Sequence, residues 1–273
     1  MKILLTNDDG IGAPGLWAAA ESLRQVGEVF VVAPHQEQSG VGASLTLHSS
    51  LRVSTSPGEE VTSRLKADGQ DAFPVTAYSV EGTPGDSCIL GLETLVGAVD
   101  LVVSGINSGS NLGWDVLVSG TIGAAIQGFV RGYPTIAISV GSVTNPQFGV
   151  ASQLLGLMAR RISEHTPASP LFLNVNIPSL PADRIGGLKV TQLGGRSYGE
   201  SVREEGAGAE KKYRIARNRP ITGALVEDTD IWAAKNNYIS ITPQQISLGH
   251  QQQIPEIESL LEGVAGQLLN KND

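Results

Sequence analysis

Two adjacent carboxylates, Asp8 and Asp9, stand directly behind a short apolar run near the start of the chain. Residues 3–5 predict a buried strand, and Gly10 permits the turn that would bring both side chains to one point. In open α/β sheets, ligands bind at the carboxyl ends of strands. Carboxylate oxygens at such a place suit Mg²⁺, Mn²⁺ or Ca²⁺. A plain polar turn explains the same residues equally well, so the pair alone leaves both interpretations open.

A glycine-rich polar segment at residues 104–113 follows a second predicted strand, residues 101–103. Ser119, Gly120 and Thr121 then open a predicted helix that ends near residue 129. Free backbone N–H groups at a helix start favour a phosphate, and the two hydroxyls add donors. A flexible loop with an N-cap is the structural alternative. Carboxylates in one loop and anion-binding groups in the other favour a divalent cation that bridges protein oxygens to a phosphate.

The loop at residues 34–50 follows a third apolar strand, residues 29–33, and adds hydroxyl and imidazole groups. Ser39 is a candidate ligand for a metal or a phosphate, although most loop serines are only solvated. His35 and His48 have no paired Cys, His or Glu at metal-ligand spacing around them, so both are expected at the surface. Ser39 therefore joins Asp8 and Asp9 as a candidate ligand.

Strands and helices alternate along the chain and must position these residues. A predicted helix at residues 14–26, between the first strand and the strand at 29–33, makes a βαβ unit with a right-handed crossover. The alternation predicts an α/β fold, although no Gly-x-Gly-x-x-Gly follows the first strand, which weakens a dinucleotide-binding interpretation. The further predicted elements are strands at 51–53, 75–80, 135–140, 171–177, 188–193 and 238–242, and helices at 82–96, 150–164 and 254–269.

Two polar stretches stand apart from this alternation. Residues 57–71 predict a surface excursion. Residues 194–220 are rich in charge and glycine, and they predict a protruding hairpin arm that covers the site or pairs with another subunit. A solvated arm is the alternative. Because no internal repeat or long linker divides the chain, we expect one unit across residues 1–273, with the arm at about 194–220.

Composition narrows the classes of function. The net charge of −8 and the pI of about 5.1 disfavour a nucleic-acid-binding surface but leave room for a single nucleotide. Hydrophobic residues make up 41% of the chain and charged residues 17%, as in globular proteins. Cys88 is the only cysteine, so no internal disulfide can form, which fits a reducing compartment. With no predicted signal peptide and no apolar stretch of about 20 residues, we expect a soluble, cytoplasmic protein without membrane contact.

Several runs of residues, taken in order, resemble the SurE family of stationary-phase survival nucleotidases. The resemblance covers nearly the whole chain. It implies a Rossmann-like, three-layer α/β core with a mostly parallel sheet, a β-hairpin arm and a C-terminal helix. The runs that carry it are residues 6–11, 38–42, 104–107, 111–113, 119–121, 173–178 and 228–243.

The resemblance also implies a metal-dependent phosphatase that acts on nucleoside monophosphates, a 5′-nucleotidase, with 3′-nucleotidase and exopolyphosphatase activity left open beside it. One Mg²⁺ or Mn²⁺ per subunit would be held by Asp8, Asp9, Ser39 and Asn107. The phosphate would be held by Asn111, Ser119, Gly120 and Thr121. Homodimers or homotetramers, built by exchange of C-terminal segments and the arm, are implied as well.

Asp8 is the candidate catalytic residue, either as the base that activates the attacking water or as a covalent nucleophile. A nucleotide-binding sensor without turnover is the alternative function, and a scaffold that works mainly through its arm is a third. Four residues depart from the pattern of the family: Gly12, His35, Ser87 and Trp114. None of them removes a predicted ligand, but Gly12 and Trp114 lie near the predicted site and leave the base preference open.

Overall fold

The sheet is built outward from the strand that ends at the two aspartates. The computed structural model describes residues 1–56, 58–65, 72–165, 168–195, 198–206, 211–220, 226–247 and 249–269. Parts of the predicted excursion (57 and 66–71) and of the predicted arm (196–197 and 207–210) lie outside the described residues. None of the described helices is long and apolar enough to cross a membrane.

Most strands of the described residues join one nine-stranded sheet. The strands are β1 (Lys2–Thr6), β2 (Glu28–Pro34), β3 (Val53–Thr55), β4 (Val75–Val80), β5 (Leu101–Ser108), β6 (Thr135–Val140), β7 (Phe172–Ile177), β8 (Gly187–Val190), β9 (Tyr198–Glu205), β10 (Lys212–Pro220) and β11 (Tyr238–Pro243). The order in the sheet is β3-β4-β2-β1-β5-β6-β7-β11-β8. Among the described strands of this sheet, only the pairs β3–β4 and β7–β11 are antiparallel, which confirms the predicted, mostly parallel sheet.

Helices cover both faces of this sheet. They are α1 (Pro14–Leu23), α2 (Gly58–Arg64), α3 (Pro84–Leu90), α4 (Gly120–Val130), α5 (Gly149–Glu164), α6 (Asp230–Lys235), α7 (Ile254–Leu260) and α8 (Val264–Leu269). Ile3 and Leu5 of β1 pack into the core that contains α1 and α5, whereas Leu4 packs on the opposite face with residues of α3 and α4. This alternation is the period of two expected for a strand buried on both faces. The predicted three-layer α/β core is therefore confirmed.

The predicted surface excursion contains a helix, α2, which the sequence analysis did not predict. The only buried apolar side chain of that helix, Val61, joins the core that α1 forms with the sheet. The Arg64 guanidinium lies over the Trp17 ring, 5.3 Å from its centroid. A single apolar residue in a polar stretch gave no periodic signal, which is why sequence reasoning missed the helix.

Strand β5 continues five residues beyond the apolar run that predicted it, into the segment predicted as a loop. Gly105 has a φ of +134°, which side chains rarely allow, and the register with β6 shifts between Ser104 and Asn107. This irregularity lets a polar sequence stay in the sheet. Asn107 therefore stands at the end of a strand and not in a flexible loop.

The hairpin arm and the C-terminal segment differ in how well they match their predictions. Strands β9 and β10 pair antiparallel in a sheet of their own, which confirms the hairpin. The predicted single helix at 254–269 is instead two short helices, because the chain turns at Gly263, which has a φ of +73°. Leu260 and Leu268 remain largely exposed there, so the apolar side of the segment is not buried within this chain.

Candidate metal and phosphate site

Asp8 and Asp9 follow β1 in the turn that the sequence predicts. The Asn7 Nδ2 group donates to the Gly10 carbonyl at 3.0 Å and closes the turn. Gly10 has a φ of +93°, and a side chain there would meet the backbone of residue 36 at 3.0 Å. The glycine is therefore required both by the backbone angle and by the close approach of the next loop.

Asp8 is buried against the start of α4. Thr121 Oγ1 donates to Asp8 Oδ1 at 2.6 Å. A Cβ added to Gly120 would lie 2.8 Å from Asp8 Cβ and 3.0 Å from Asp8 Oδ2, so the absence of a side chain at Gly120 lets helix and carboxylate meet. The positive end of the helix dipole favours negative charge at this place.

Asp9 and Asn107 are joined through the end of β5. The Ser108 backbone N–H donates to Asp9 Oδ2 at 2.9 Å, although the two residues lie 99 positions apart. Asn107 Nδ2 donates to the Gly109 carbonyl at 2.6 Å, which leaves Oδ1 as the Asn107 atom suited to a cation. The structure thus brings three of the predicted metal ligands to the adjacent ends of β1 and β5.

Ser39 reaches the same region through its loop. The Gln38 backbone N–H donates to the Asp8 carbonyl at 2.7 Å and holds the loop beside the aspartates. Ser39 Oγ donates to Glu37 Oε1 at 2.8 Å, so the hydroxyl keeps its lone pairs for a cation. Sequence reasoning missed Glu37, whose only sequence signal was its place two residues before Ser39.

This arrangement fits a hard divalent cation. The four predicted ligands offer carboxylate, hydroxyl and amide oxygens, and a carboxylate that accepts one hydrogen bond still has lone pairs to share. Among the described residues, no cluster of three or more His, Cys, Asp or Glu side chains is suited to a metal, so the hydroxyl and amide oxygens would be needed. Three buried oxygens at or beside the end of β1 also lack a hydrogen-bond partner within the described part of the chain: Thr6 Oγ1, Asn7 Oδ1 and the Oγ of Ser104, which pairs with Thr6 in the sheet.

Ser119 and Thr121 use their hydroxyl groups differently. Ser119 Oγ accepts from the Ile122 backbone N–H at 3.2 Å, which makes Ser119 the N-cap of α4 and leaves its hydroxyl proton for a phosphate oxygen. Thr121 donates its hydroxyl proton to Asp8 instead. In this structure Thr121 therefore orients the Asp8 carboxylate.

Asn111 is held by a buried polar network on β6 and β7. Its backbone N–H donates to Asn176 Oδ1 at 2.8 Å, and its carbonyl accepts from Asn174 Nδ2 at 2.8 Å and Asn176 Nδ2 at 3.0 Å. Its side chain donates to Ser139 Oγ at 2.9 Å. Asn174 and Asn176 alternate on one buried strand, and this spacing is the sequence signal for the buried polar network.

Asp230, the first residue of α6, ties the segment before α4 to the base of the arm. Its carboxylate accepts from the backbone N–H groups of Gly113, Gly194 and Ile231, each at 2.8 Å. Trp114 N–H also donates to the Gly195 carbonyl at 2.9 Å. Burial raises the pKa of Asp230, and the three N–H donors oppose that shift. Sequence reasoning noted Asp230 only as part of a motif and missed this role.

Burial dominates the electrostatics of the aspartate pair. It raises the pKa of Asp8 to about 6, the Thr121 hydroxyl opposes the shift, and the charge of Asp9 adds to it. Burial also raises the pKa of Asp9, where the hydrogen bond from Ser108 opposes the shift and the charge of Glu37 adds to it. Two buried carboxylates with raised pKa values are poised to take up positive charge, whether as protons or as a cation.

We expect Asp8→Asn to stabilise the cation-free protein. Because the folded-state pKa is raised from 3.8 to about 6, the stability that protonated Asp8 contributes is full below pH 3.8 and is lost as the pH rises through 6. The gain in unfolding free energy should therefore reach about 3 kcal/mol at neutral pH and shrink as the pH falls from 6 toward 4. Urea unfolding in EDTA across this range measures it, and a gain independent of pH would contradict the prediction.

Comparison with known proteins shows similarity along nearly the whole chain. The family described as Survival protein SurE matches residues 3–200. A 5′-nucleotidase SurE of Dehalococcoides mccartyi is 46% identical over 249 residues, which cover 89% of this chain and 88% of that protein. The 5′-nucleotidase SurE 1 of Thermus thermophilus is 40% identical over 268 residues, 97% of this chain and 100% of that protein. The crystal structure of a SurE protein from Aquifex aeolicus superposes with a TM-score of 0.78 at 36% identity, covering 95% of this chain and 99% of that one.

Proposed function

This chain belongs to the SurE family, and we infer from that membership that it is a 5′-nucleotidase, which hydrolyses nucleoside monophosphates to a nucleoside and inorganic phosphate. Relatives that carry this name match most of the chain at up to 46% identity. These relatives do not support the alternative that the protein is a nucleotide-binding sensor without turnover. The single observation that carries the chemistry is the contact of Asp8 with the start of α4, because it places a carboxylate beside an anion-binding helix end.

The family implies dependence on a divalent cation, and the oxygen donors described above fit one. We assign Asp8, Asp9, Ser39 and Asn107 to hold it, one Mg²⁺ or Mn²⁺ per subunit, because an all-oxygen set suits these two ions. When bound, the cation neutralises phosphate charge and polarises the ester. The hydrogen bonds from Thr121, Ser108 and Gln38 support this assignment, since each fixes a ligand or its loop before the cation arrives.

The protein's own groups have separate tasks in the reaction. Ser119 Oγ–H and the Gly120 backbone N–H donate to phosphate oxygens, where charge accumulates during phosphoryl transfer. Asn111, fixed by its network on β6 and β7, adds an amide donor. Thr121 holds Asp8, and Asp8 takes the proton of the attacking water as a general base. A covalent role for Asp8 would use the same carboxylate.

We also propose that the active protein is a homodimer or homotetramer in the cytoplasm. The support is an exposed apolar surface on α7 and α8, which includes Ile254, Leu260 and Leu268. Cys88 is a free, buried thiol, which suits a reducing compartment. Sedimentation of the purified chain with residues 254–273 present and deleted tests the oligomer, and an unchanged assembly in the shortened chain would count against this use of the helices.

The function is tested by phosphate release from a panel of nucleoside 5′- and 3′-monophosphates and short polyphosphate, with Mg²⁺, with Mn²⁺ and with EDTA. We expect release from 5′-monophosphates that stops in EDTA and returns with added cation. A folded protein that releases phosphate under none of these conditions would refute the enzyme. The panel also decides whether 3′-monophosphates and polyphosphate are substrates.

We expect Asp9→Ala to raise the cation concentration needed for half-maximal activity by at least about tenfold, since one carboxylate ligand is removed. The Ser108 N–H also loses its acceptor, which loosens the end of β5. Calorimetric titration with Mn²⁺ measures the loss without turnover. Glu164→Ala, on the exposed end of α5, is the control and should leave the Mn²⁺ titration unchanged. An Mn²⁺ affinity that matches the wild type in Asp9→Ala would exclude Asp9 as a ligand.

A further inference from the structure

A cavity of about 470 Å³ opens at the carboxyl ends of β6 and β7, beyond the predicted metal and phosphate residues. Pro178, Leu180 and Ala234 form the more accessible apolar part of its wall, and Asn145 and Asn237 provide amide groups. The volume lies within the roughly 300–1,000 Å³ range of small-molecule pockets, which are mainly apolar with a few polar groups. None of the residues assigned to the metal or the phosphate lines this cavity.

The cavity shares its wall with the phosphate-binding segment. Ser110 and Leu112, the two neighbours of Asn111, both line it. Asn176 also lines it, while its side chain accepts from the Asn111 N–H at 2.8 Å and donates to the Asn111 carbonyl at 3.0 Å. Asn111 is thus fixed between the phosphate region and the cavity, and a ligand that spans both would pass this residue.

The sheet sets the separation between the two places. Strands β1, β5, β6 and β7 are consecutive neighbours, and neighbouring strands lie about 4.8 Å apart. The ends of β6 and β7 are therefore about 10–15 Å from the end of β1, where Asp8 and Asp9 stand. This is the scale of a nucleoside monophosphate laid along the edge of the sheet with its phosphate at α4.

The residues that line the cavity limit the chemical class of ligand it can bind. Among the described residues that line the cavity there is no carboxylate, and the charged side chain is Lys235, so a cation is disfavoured there and an anionic ester is not repelled. Apolar side chains suit the faces of a heteroaromatic ring, and amides and hydroxyls can pair with the edge of a base or with a ribose. A flat, hydrogen-bonding group such as a nucleoside therefore suits this wall, whereas a cation does not.

We propose, resting on the 5′-nucleotidase function inferred above, that this cavity binds the nucleoside part of the substrate and so determines which nucleotides are hydrolysed. The base lies against the apolar wall formed by Pro178, Leu180 and Ala234. The Asn145 and Asn237 amides face its polar edge or the ribose. The phosphate extends past Asn111 to the start of α4.

Asn145→Trp tests this assignment because it adds a large side chain to the exposed part of the cavity wall. Asn145 makes its hydrogen bonds through the backbone, with its N–H donating to Ser142 Oγ and its carbonyl accepting from Ser179 Oγ, so a larger side chain leaves these bonds possible. We expect the KM for adenosine 5′-monophosphate to rise at least about tenfold. The kinetics with p-nitrophenyl phosphate, which has no nucleoside, should stay within about twofold of wild type.

Thr144→Trp is the matched control, since Thr144 is an exposed neighbour that does not line the cavity. Thr144→Trp should leave the kinetics with both substrates unchanged. Calorimetric binding of adenosine gives a second readout that needs no turnover, and we expect Asn145→Trp but not Thr144→Trp to abolish it. Equal effects of Asn145→Trp on both substrates, or unchanged adenosine binding, would overturn the cavity proposal. Failure of the wild type to hydrolyse either ester would instead refute the enzyme function. The adenosine titration would still show whether the cavity binds a nucleoside.

Discussion

Asp8→Asn should lower the kcat for phosphate release by about 10³-fold, the range typical for loss of a general base. The variant is nearly isosteric. Its side-chain oxygen can still accept the Thr121 hydroxyl, which bonds Asp8 at 2.6 Å in the wild type. What disappears is the negative charge and the ability to take a proton or attack phosphorus.

Metal binding decides what the loss of activity in Asp8→Asn means. If Mn²⁺ still titrates into the variant while turnover is lost, Asp8 acts in the chemistry and is more than a ligand. If both are lost, its main role is to hold the cation. Asp183→Asn, an exposed aspartate in a surface turn, is the control and should retain full activity. Full activity in Asp8→Asn would exclude both roles.

Gly120→Ala should lower activity by about 10²-fold, because displacing a catalytic group by about 1 Å can cost that much. The added Cβ would lie 2.8 Å from Asp8 Cβ, which is closer than two non-bonded carbon atoms can approach. Either the start of α4 moves away from β1 or the Asp8 carboxylate rotates. Both movements disturb the hydrogen bond from Thr121 and the donors intended for the phosphate.

Gly149→Ala is a close control for this variant, since Gly149 is likewise the first residue of a helix, α5. A Cβ there meets no atom within 4 Å, so alanine should be neutral or slightly stabilising. Steady-state kinetics and thermal unfolding of both variants separate loss of the site from loss of the fold. Wild-type kinetics in Gly120→Ala would show that the contact of α4 with Asp8 is not needed.

Local patterns predicted much of this fold. Strand β6 has the predicted bounds of 135–140, and α4 and α5 begin within one residue of the predicted starts. Strand β6 is mostly apolar, α4 begins after the N-cap Ser119, and α5 buries apolar residues at helical spacing, so sequence period and end residues suffice. The turn at Gly10 was predicted for the same reason, since aspartate and glycine directly follow an apolar strand.

Contacts between distant segments were beyond prediction from a single sequence. The Ser108 N–H that holds Asp9 belongs to a strand extension that depends on pairing with β6. Glu37, Asn174 and Asn176 act through partners chosen by the fold. Helix α2 and the break at Gly263 depend, respectively, on one buried valine and on a single backbone angle. The family resemblance supplied the ligand set, and the structure supplied the hydrogen bonds that orient it.

Because Asp230 lies late in the sequence, its hydrogen bonds can form only after most of the chain has been synthesised. Asp8, Asp9 and Asn107 are synthesised early, but Asp230, whose carboxylate accepts from the Gly113 N–H in the folded protein, follows Gly113 by 117 residues. At typical translation rates this delay is on the order of ten seconds. During that interval the nascent chain carries its aspartates without the anchor that fixes the segment before α4. The last fifth of the chain therefore completes a site whose main residues lie in the first half.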